Sequence, residues 1–240
     1  MMFKRILKHE LKNILRDKMY IFFVIFSLLM VVVGLFLIPY LRELETDLAA
    51  NLVTTVFILM NSFLYGAITG FTLLDDQDDH VLLSLKITPI KVRAYILIKI
   101  AISYVFGFIT TLLIILTTGF TQESDLINIL FILILAPMQG PILALLINSF
   151  ASNKVEGFVM MKLSGIILLS PIAALFITNW TELLLGVLPG FWPIRIISMQ
   201  LLPSTHFFLN ASWLYFILGF LINSSVGYLF FKLYTKRVNI

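Results

Sequence analysis

The sequence predicts an all-α integral membrane protein with six transmembrane helices, an amphipathic N-terminal interfacial helix and short external re-entrant helices before the last span. Of its 240 residues, 60% are apolar and only 12% are charged, and the mean hydropathy is +1.02. Soluble domains are about half apolar and about a quarter charged. Because six spans need about 20 residues each, residues 1–240 are predicted to form a single membrane domain with no room for a soluble catalytic domain.

The first 18 residues predict an amphipathic helix that lies flat on membrane lipid. Apolar side chains such as Phe3, Leu7 and Leu11 recur at helical spacing, and the opposite face is basic. A helix of this kind binds an anionic cytoplasmic leaflet. The alternative is a signal peptide, which is disfavoured because no small-residue cleavage site follows the apolar run.

Six apolar stretches predict the spans. They cover about residues 19–40, 51–74, 95–118, 126–149, 158–178 and 208–231. Pro39 is expected to end the first span. Pro137 and Pro141 are expected to bend or break the fourth, because each proline removes a backbone donor. Gly66 and Gly70 allow close helix approach in the second span, and ordinary packing is the favoured interpretation.

Residues 179–208 form neither a clean span nor a soluble loop. Apolar runs at 183–188 and 194–202 are interrupted by Pro189 and Pro193, and Pro203 follows. Irregular backbone at membrane depth is tolerated only where protein or a water-filled cavity surrounds it. Short interfacial or re-entrant helices on the external side therefore fit this segment best.

The distribution of positive charge predicts the orientation. Of the 17 Lys and Arg residues, all but Arg42 and Arg195 fall on the same side as the N terminus. The positive-inside rule then makes both termini cytoplasmic, in a multi-pass protein of the cell membrane. Trp180, Trp192 and Trp213 fall on the external side, where amphipathic rings favour the membrane interface.

The segment from residue 75 to residue 99 is the longest interval in the middle of the chain that cannot lie in hydrocarbon. Four acids open it, and a short helix is expected to begin near Asp78 and to end at Pro89, since the residue before a proline leaves the helical region. The acids are interpreted as a helix N-terminal cap or a solvated face. A divalent cation held by these acids with His80 is disfavoured, because the glycine turn and terminal glutamate of a calcium loop are missing.

No motif indicates chemistry carried out by this chain. HExxH, GxSxG and paired-carboxylate motifs are absent from the predicted spans, which contain almost no ionisable residue. No Walker A motif is present, so the chain is predicted not to be an enzyme. The lack of cysteine excludes disulfides and thiolate metal sites. The basic residues lie beside spans, which favours contact with the leaflet over binding of nucleic acid.

Four segments, in this order and spacing, carry a family resemblance. They are the N-terminal FKRILKHELKNILRDK, LLSLKITPIKVRAYILIK after the second span, NKVEGFVMMK after the fourth, and LPGFWPIR before the sixth. Together they resemble the type 2 ABC-transporter permease family, and within it the small bacterial permeases that export drugs or antimicrobial peptides. The family usually has glutamate and glycine where this chain has Asp78, Asp79 and His80, which leaves the docking pairs open.

The resemblance implies a half-transporter that pairs with a second permease subunit, as a homodimer or a heterodimer. A separate ATPase subunit would bind ATP and Mg and drive it, so the chain itself would hold no cofactor. Residues 1–18 would be a connecting helix, and the cytoplasmic coupling loop 75–94 would dock on the ATPase. The expected ATPase contacts are Asp78, Asp79, Val81, Leu82, Leu83, Leu85, Lys86, Thr88, Pro89, Asn153, Lys154 and Glu156.

The resemblance leaves the exported substrate open among a drug, a peptide and a lipid-like amphiphile. Its path is expected at the interface between two subunits, lined by Asn61, Thr69, Thr110, Thr111 and Gln139. Interhelical hydrogen bonding is an equally good interpretation of these five residues. The competing function is a non-transporting membrane immunity or regulatory subunit that anchors a complex.

Overall fold

The protein is a bundle of long α-helices. The computed structural model describes residues 12–44, 47–87, 91–120, 124–177, 179–201 and 211–238. The helices are α1 (Lys18–Glu43), α2 (Asp47–Asp78), α3 (Val81–Leu85), α4 (Val92–Thr117), α5 (Leu126–Leu135), α6 (Gln139–Phe150), α7 (Lys154–Leu169), α8 (Phe191–Leu201) and α9 (Ser212–Arg237). Three 3-10 segments lie at Ala136–Met138, Ser170–Phe176 and Trp180–Val187.

The predicted all-α membrane fold is confirmed. Every regular element within the described ranges is helical, and five helices there are long and apolar enough to cross a membrane. They are α1, most of α2, α4, α5 continued through α6, and α9. The amphipathic helix predicted over residues 1–18 falls largely on residues 1–11, which lie outside the described part of the chain. Residues 208–210 of the predicted sixth span also lie outside it.

The predicted fifth span is not one of these five helices, because its described residues form two shorter pieces. Helix α7 ends at Leu169, and the chain continues as the 3-10 helix Ser170–Phe176, in which Pro171 lacks a backbone donor. At rises of about 1.5 and 2.0 Å per residue the two pieces together extend roughly 38 Å. Helix α7 begins beside the last turn of α2, and the 3-10 helix contacts α8. The end of the bundle where α2 ends and α7 begins is called the α3 end, and the opposite end, beside α8, is called the α8 end.

Helix α2 is the central helix of the bundle and contacts α1, α4, α6 and α7. Its Gly66 lies against α6, so that a Cβ at this position would be only 2.6 Å from the carbonyl oxygen of Gly140. A Cβ at Gly70 would be 3.0 Å from Cδ1 of Ile147. The two glycines therefore serve close helix packing, as the sequence analysis favoured.

Replacing Gly66 by alanine is expected to lower the stability of the bundle by about 1–3 kcal/mol, the usual cost of overpacking. The added methyl group would overlap backbone atoms of α6 that cannot move aside independently. Thermal unfolding of the purified protein in detergent measures the effect. Gly227→Ala is the matched control, because its Cβ would meet Ile142 at an ordinary 3.7 Å. Equal melting temperatures for the two variants would contradict the assigned packing.

The predicted break in the fourth span is confirmed. Helix α5 ends at Leu135, the chain forms one 3-10 turn, and α6 begins at Gln139. Pro137 and Pro141 explain the change, since neither can donate a backbone hydrogen bond. Beside the break, the hydroxyl of Tyr104 on α4 donates to the carbonyl oxygen of Ile134 at 3.1 Å.

Three helices extend beyond their predicted ends. Helix α1 continues through Pro39 to Glu43, α2 continues to Asp78, and α9 continues to Arg237, so most of the predicted basic tail is helical. The expectation that Pro39 ends the first helix is wrong. Membrane helices tolerate proline where other groups satisfy the freed carbonyl, and only the last turn of α1 follows it. Hydropathy locates the apolar part of a helix rather than its polar ends.

The α8 end contains an ion pair that the sequence analysis missed. Arg195 of α8 pairs with Glu182, both side chains are fully buried, and the hydroxyl of Tyr215 on α9 donates to the same carboxylate at 2.5 Å. The short helices predicted between residues 179 and 208 are present. However, Arg195 and Trp192 do not lie at an exposed interface: both are buried, and the Trp192 indole donates to the carbonyl oxygen of Gly186 at 3.0 Å.

Candidate functional site

The candidate site lies at the α3 end, where α2 turns into the short helix α3. His80 makes the turn with φ 57° and ψ 22°, a left-handed conformation that histidine visits more readily than most residues. Asp75, Asp76 and Asp78 belong to the last turn of α2 and do not cap the following helix. The N-terminal cap interpretation is therefore wrong. Negative charge at a helix C terminus is unfavourable, so these acids require partners.

Asp76 has such partners on α4. Its Oδ2 accepts from Nζ of Lys99 at 2.5 Å and from the Tyr95 hydroxyl at 2.9 Å, and Lys99 also donates to the carbonyl oxygen of Thr72 at 3.2 Å. Lys99 is only 1% exposed and Asp76 only 4%. The sequence predicts Lys99 at the edge of the loop, but the residue lies inside α4. This buried pair fixes the end of α2 to the first turns of α4.

Asp75 joins α2 to α1 and α7. Its carboxylate accepts from the Tyr20 hydroxyl on α1 and forms an ion pair with Nζ of Lys154 at 2.8 Å. Asp17 lies 3.8 Å from the same ammonium group. Partial burial alone would lower the pKa of Lys154, but the hydrogen bond and charge of Asp75, with the charges of Asp17 and Asp78, raise it overall. The favourable contribution of Lys154 is thus complete at neutral pH and is lost only in strongly alkaline solution.

A third network ties α2 to α6 and α9. The Gln77 amide donates to Oδ1 of Asn148 at 2.8 Å and to the Tyr234 hydroxyl at 3.3 Å. Arg237 then donates to the carbonyl oxygens of Asn148 and Ala151, at 3.0 and 2.6 Å. With the two acidic networks, the last turn of α2 is bonded to α1, α4, α6, α7 and α9. Helix α3 therefore projects from a rigid platform.

The residues expected to contact an ATPase differ in exposure. Six of them are exposed: Asp78, Asp79, Leu83, Lys86, Asn153 and Glu156. Val81, Leu85 and Lys154 are half-buried, and Leu82 is buried. Thr88 and Pro89 lie outside the described residues. Leu82 packs in a cluster with Val92, Tyr95 and Tyr234, so it anchors α3. Ile87, which the sequence analysis did not select, is 91% exposed. Its apolar character directly before Thr88 was the available signal.

The loop before α7 is organised mainly by its own hydrogen bonds. The backbone N–H of Glu156 donates to Oδ1 of Asn153 at 3.0 Å, and the N–H of Ser152 donates to Oε2 of Glu156 at 2.7 Å. The Asn153 side chain therefore caps the start of α7, and Glu156 bonds back to the preceding Ser152 in an arrangement similar to a capping box. Asn153 and Glu156 thus have a structural role whether or not they also contact a partner.

The acidic segment shows no metal-binding arrangement. Within the described ranges, no group of three or more His, Asp or Glu side chains is placed to hold a metal ion. The carboxylates of Asp75 and Asp76 instead bond to Lys154, Tyr20, Lys99 and Tyr95.

The five residues expected along a substrate path are all buried in the bundle. Asn61 donates to the carbonyl oxygen of Phe57 at 2.9 Å and accepts from Ser27 on α1, and Thr110 donates to Phe106 at 3.0 Å within α4. These bonds agree with the packing interpretation of both residues. Thr111 and Gln139 have no side-chain hydrogen-bond partner within the described residues. Neither of them lines the apolar groove between α4, α6 and α9 that is described below.

Comparison with known proteins identifies the family. The family model described as fluoroquinolones export permease protein Rv2686c-like matches residues 10–231. Two curated relatives from Mycobacterium tuberculosis, the fluoroquinolones export permease proteins MT2760 (strain CDC 1551 / Oshkosh) and Rv2686c (strain ATCC 25618 / H37Rv), are each 25% identical over 191 residues. The match covers 78% of this chain and 72% of each relative. No solved structure matches the chain. The chain therefore belongs to the Rv2686c-like family of fluoroquinolone export permeases, and it is a membrane-spanning permease of an exporter.

Proposed function

We propose that this chain is the membrane subunit of an ATP-binding-cassette exporter, driven by a separate ATPase that docks on α3. A second permease subunit completes the translocation path, and the α3 end faces the cytoplasm of a bacterial cell. The substrate is a drug of the fluoroquinolone type, in keeping with the names of the relatives. The observation that carries the proposal is a short, partly exposed helix that directly follows α2, whose last turn is joined to α4 by a buried ion pair.

The proposed mechanism follows from the connections of α3. Leu83 and Ile87 are 57% and 91% exposed, so they offer apolar contacts to a partner. A force applied at α3 reaches α2 through the two-residue turn of Asp79 and His80. It reaches α4 through the bond between Asp76 and Lys99. Both helices must then move together, which is the behaviour of a rigid lever between a motor and a membrane domain.

Introducing aspartate at both Leu83 and Ile87 is expected to abolish binding of the ATPase, because two exposed apolar contacts are replaced by charges. The measurement is affinity purification of the tagged chain from its native host, with identification of co-purified proteins by mass spectrometry. In parallel, the cells are tested for accumulation of ciprofloxacin. We expect the double variant to lose the ATPase and to accumulate the drug as a deletion strain does.

Ser84→Asp is the matched control, since Ser84 is also exposed on α3 and receives the same charge. It should retain the ATPase and the efflux. If the double variant retains both, the docking surface is not α3. If the unaltered chain co-purifies with no ATPase and does not change drug accumulation, the competing anchoring function replaces the exporter.

A further inference from the structure

A groove of about 640 Å³ lies between α4, the break between α5 and α6, and α9. Its walls are almost entirely apolar and include four aromatic rings, those of Tyr104, Phe220, Tyr228 and Phe231. Asn223, near the middle of the 26-residue helix α9, also lines it and places it near the mid-depth of the membrane. Its volume is in the range of about 300–1,000 Å³ that is usual for small-molecule sites.

Asn223 is the unusual member of this lining. Its side chain is only 1% exposed, and neither amide atom has a hydrogen-bond partner among the described residues. A buried polar group without a partner costs roughly 1–3 kcal/mol. Polar side chains retained inside a membrane domain often mark a pathway or a binding site. Both amide atoms are covered as the side chain stands, so a ligand with an acceptor and a donor would satisfy the amide after the side chain turns toward the groove.

We propose that this groove binds the exported molecule in an uncharged protonation state, with its aromatic ring against the groove walls and a polar group paired with the Asn223 amide. The aromatic rings favour offset or edge-to-face stacking with a planar ligand. Among the described residues, no Lys, Arg, His, Asp or Glu side chain lines the groove, so a ligand charge buried there would lack a partner from them. That the ligand is exported rests on the proposed function, whereas the site itself rests on the geometry of the groove.

The groove also adjoins the broken span. Met138 and Pro141, on either side of the start of α6, line its wall. The break has fewer backbone hydrogen bonds than a continuous helix, so bending is easiest there.

Benzophenone, a neutral aromatic ketone that inserts into C–H bonds on irradiation, serves as the probe. The purified chain in lipid nanodiscs is irradiated over a range of probe concentrations, and the adducts are mapped by mass spectrometry. We expect saturable adducts at Met138 and at the groove face of α9. Asn223→Leu removes the donor to the ketone oxygen. The probe concentration that gives half-maximal labelling should then rise by roughly 2–10-fold, which corresponds to the loss of one hydrogen bond.

Two size-matched variants separate the groove from the lipid surface. Gly227→Leu places a side chain in the groove and should abolish the saturable adducts. Ser225→Leu adds bulk to an exposed position of the same helix outside the groove and should leave them unchanged. Non-saturable labelling that Gly227→Leu does not reduce would overturn the site.

The remaining outcomes distinguish the two proposals. Groove adducts in a chain that neither binds an ATPase nor exports a drug would retain the site and refute the proposed function. Normal export by the Gly227→Leu variant would refute the groove as substrate site and leave the proposed function intact. Disulfide cross-linking of Ser224→Cys between copies, without groove adducts, would assign the surface to a second copy and overturn the inference.

Discussion

Replacing Lys99 by methionine is expected to destabilise the bundle by roughly 3–5 kcal/mol, because it leaves the Asp76 carboxylate buried without its cation. The Tyr95 hydroxyl remains as a hydrogen-bond donor, but a neutral donor does not compensate a buried charge. Thermal unfolding in detergent should show a markedly lower melting temperature. This substitution leaves the Tyr95 hydroxyl as the side-chain bond from Asp76 to α4, so the connection is weakened and export is expected to fall as well.

The double variant Asp76→Leu with Lys99→Met separates the effect on stability from the effect on export. It removes both charges at once and should recover most of the stability, since apolar replacements of buried ion pairs are often neutral or better. Export should nevertheless remain impaired if the pair transmits movement from α3. A single variant as stable as the unaltered protein would show that Asp76 is accessible to water rather than buried against α4.

Replacing Arg195 by methionine is the second substitution with a large expected effect. Glu182 would still accept the hydrogen bond from the Tyr215 hydroxyl, but it would lose its ion pair with the Arg195 guanidinium. The stability of the folded protein should again fall by roughly 3–5 kcal/mol. The change should also loosen the 3-10 segment Trp180–Val187 against α8, where the bond from the Trp192 indole to Gly186 remains. Limited proteolysis between residues 180 and 190, together with the melting temperature, measures both consequences.

The matched variant combines Arg195→Met with Glu182→Gln, which removes the charge and keeps an acceptor for Tyr215. It should be more stable than the single variant. Because the two ion pairs lie at opposite ends of the bundle, the losses caused by Lys99→Met and Arg195→Met should add within about 0.5 kcal/mol. Strong non-additivity would indicate that the two ends are energetically coupled.

The membrane fold was predictable because hydropathy and proline act locally. The apolar runs located five long crossings, and Pro137 with Pro141 located the break, since a missing backbone donor has its effect within one turn. Helix ends were less predictable. Helix α2 continues through its aspartates because Lys99 and Lys154 on other helices compensate the charges of Asp76 and Asp75, and Tyr20 donates a hydrogen bond to Asp75. Such partners have no signature within the acidic segment itself.

The candidate site was only partly predictable for the same reason. A helix of five residues is too short for its periodicity to distinguish a buried Leu82 from an exposed Leu83. The ion pairs join residues that are distant in sequence, and each partner considered alone resembles an ordinary charge beside a span. The lysine of α4, enclosed by apolar neighbours in YILIKIAISY, was the available sign that Lys99 is buried.

The bonds made by Arg237 have a consequence for biogenesis. This residue, at the end of the last helix, holds the turn between α6 and α7 through the carbonyl oxygens of Asn148 and Ala151. Those acceptors leave the ribosome more than eighty residues earlier than the arginine that binds them. Nascent chains must therefore insert their first crossings with this turn unsecured, and a chain truncated before Arg237 would enter the membrane without the contact that closes the bundle.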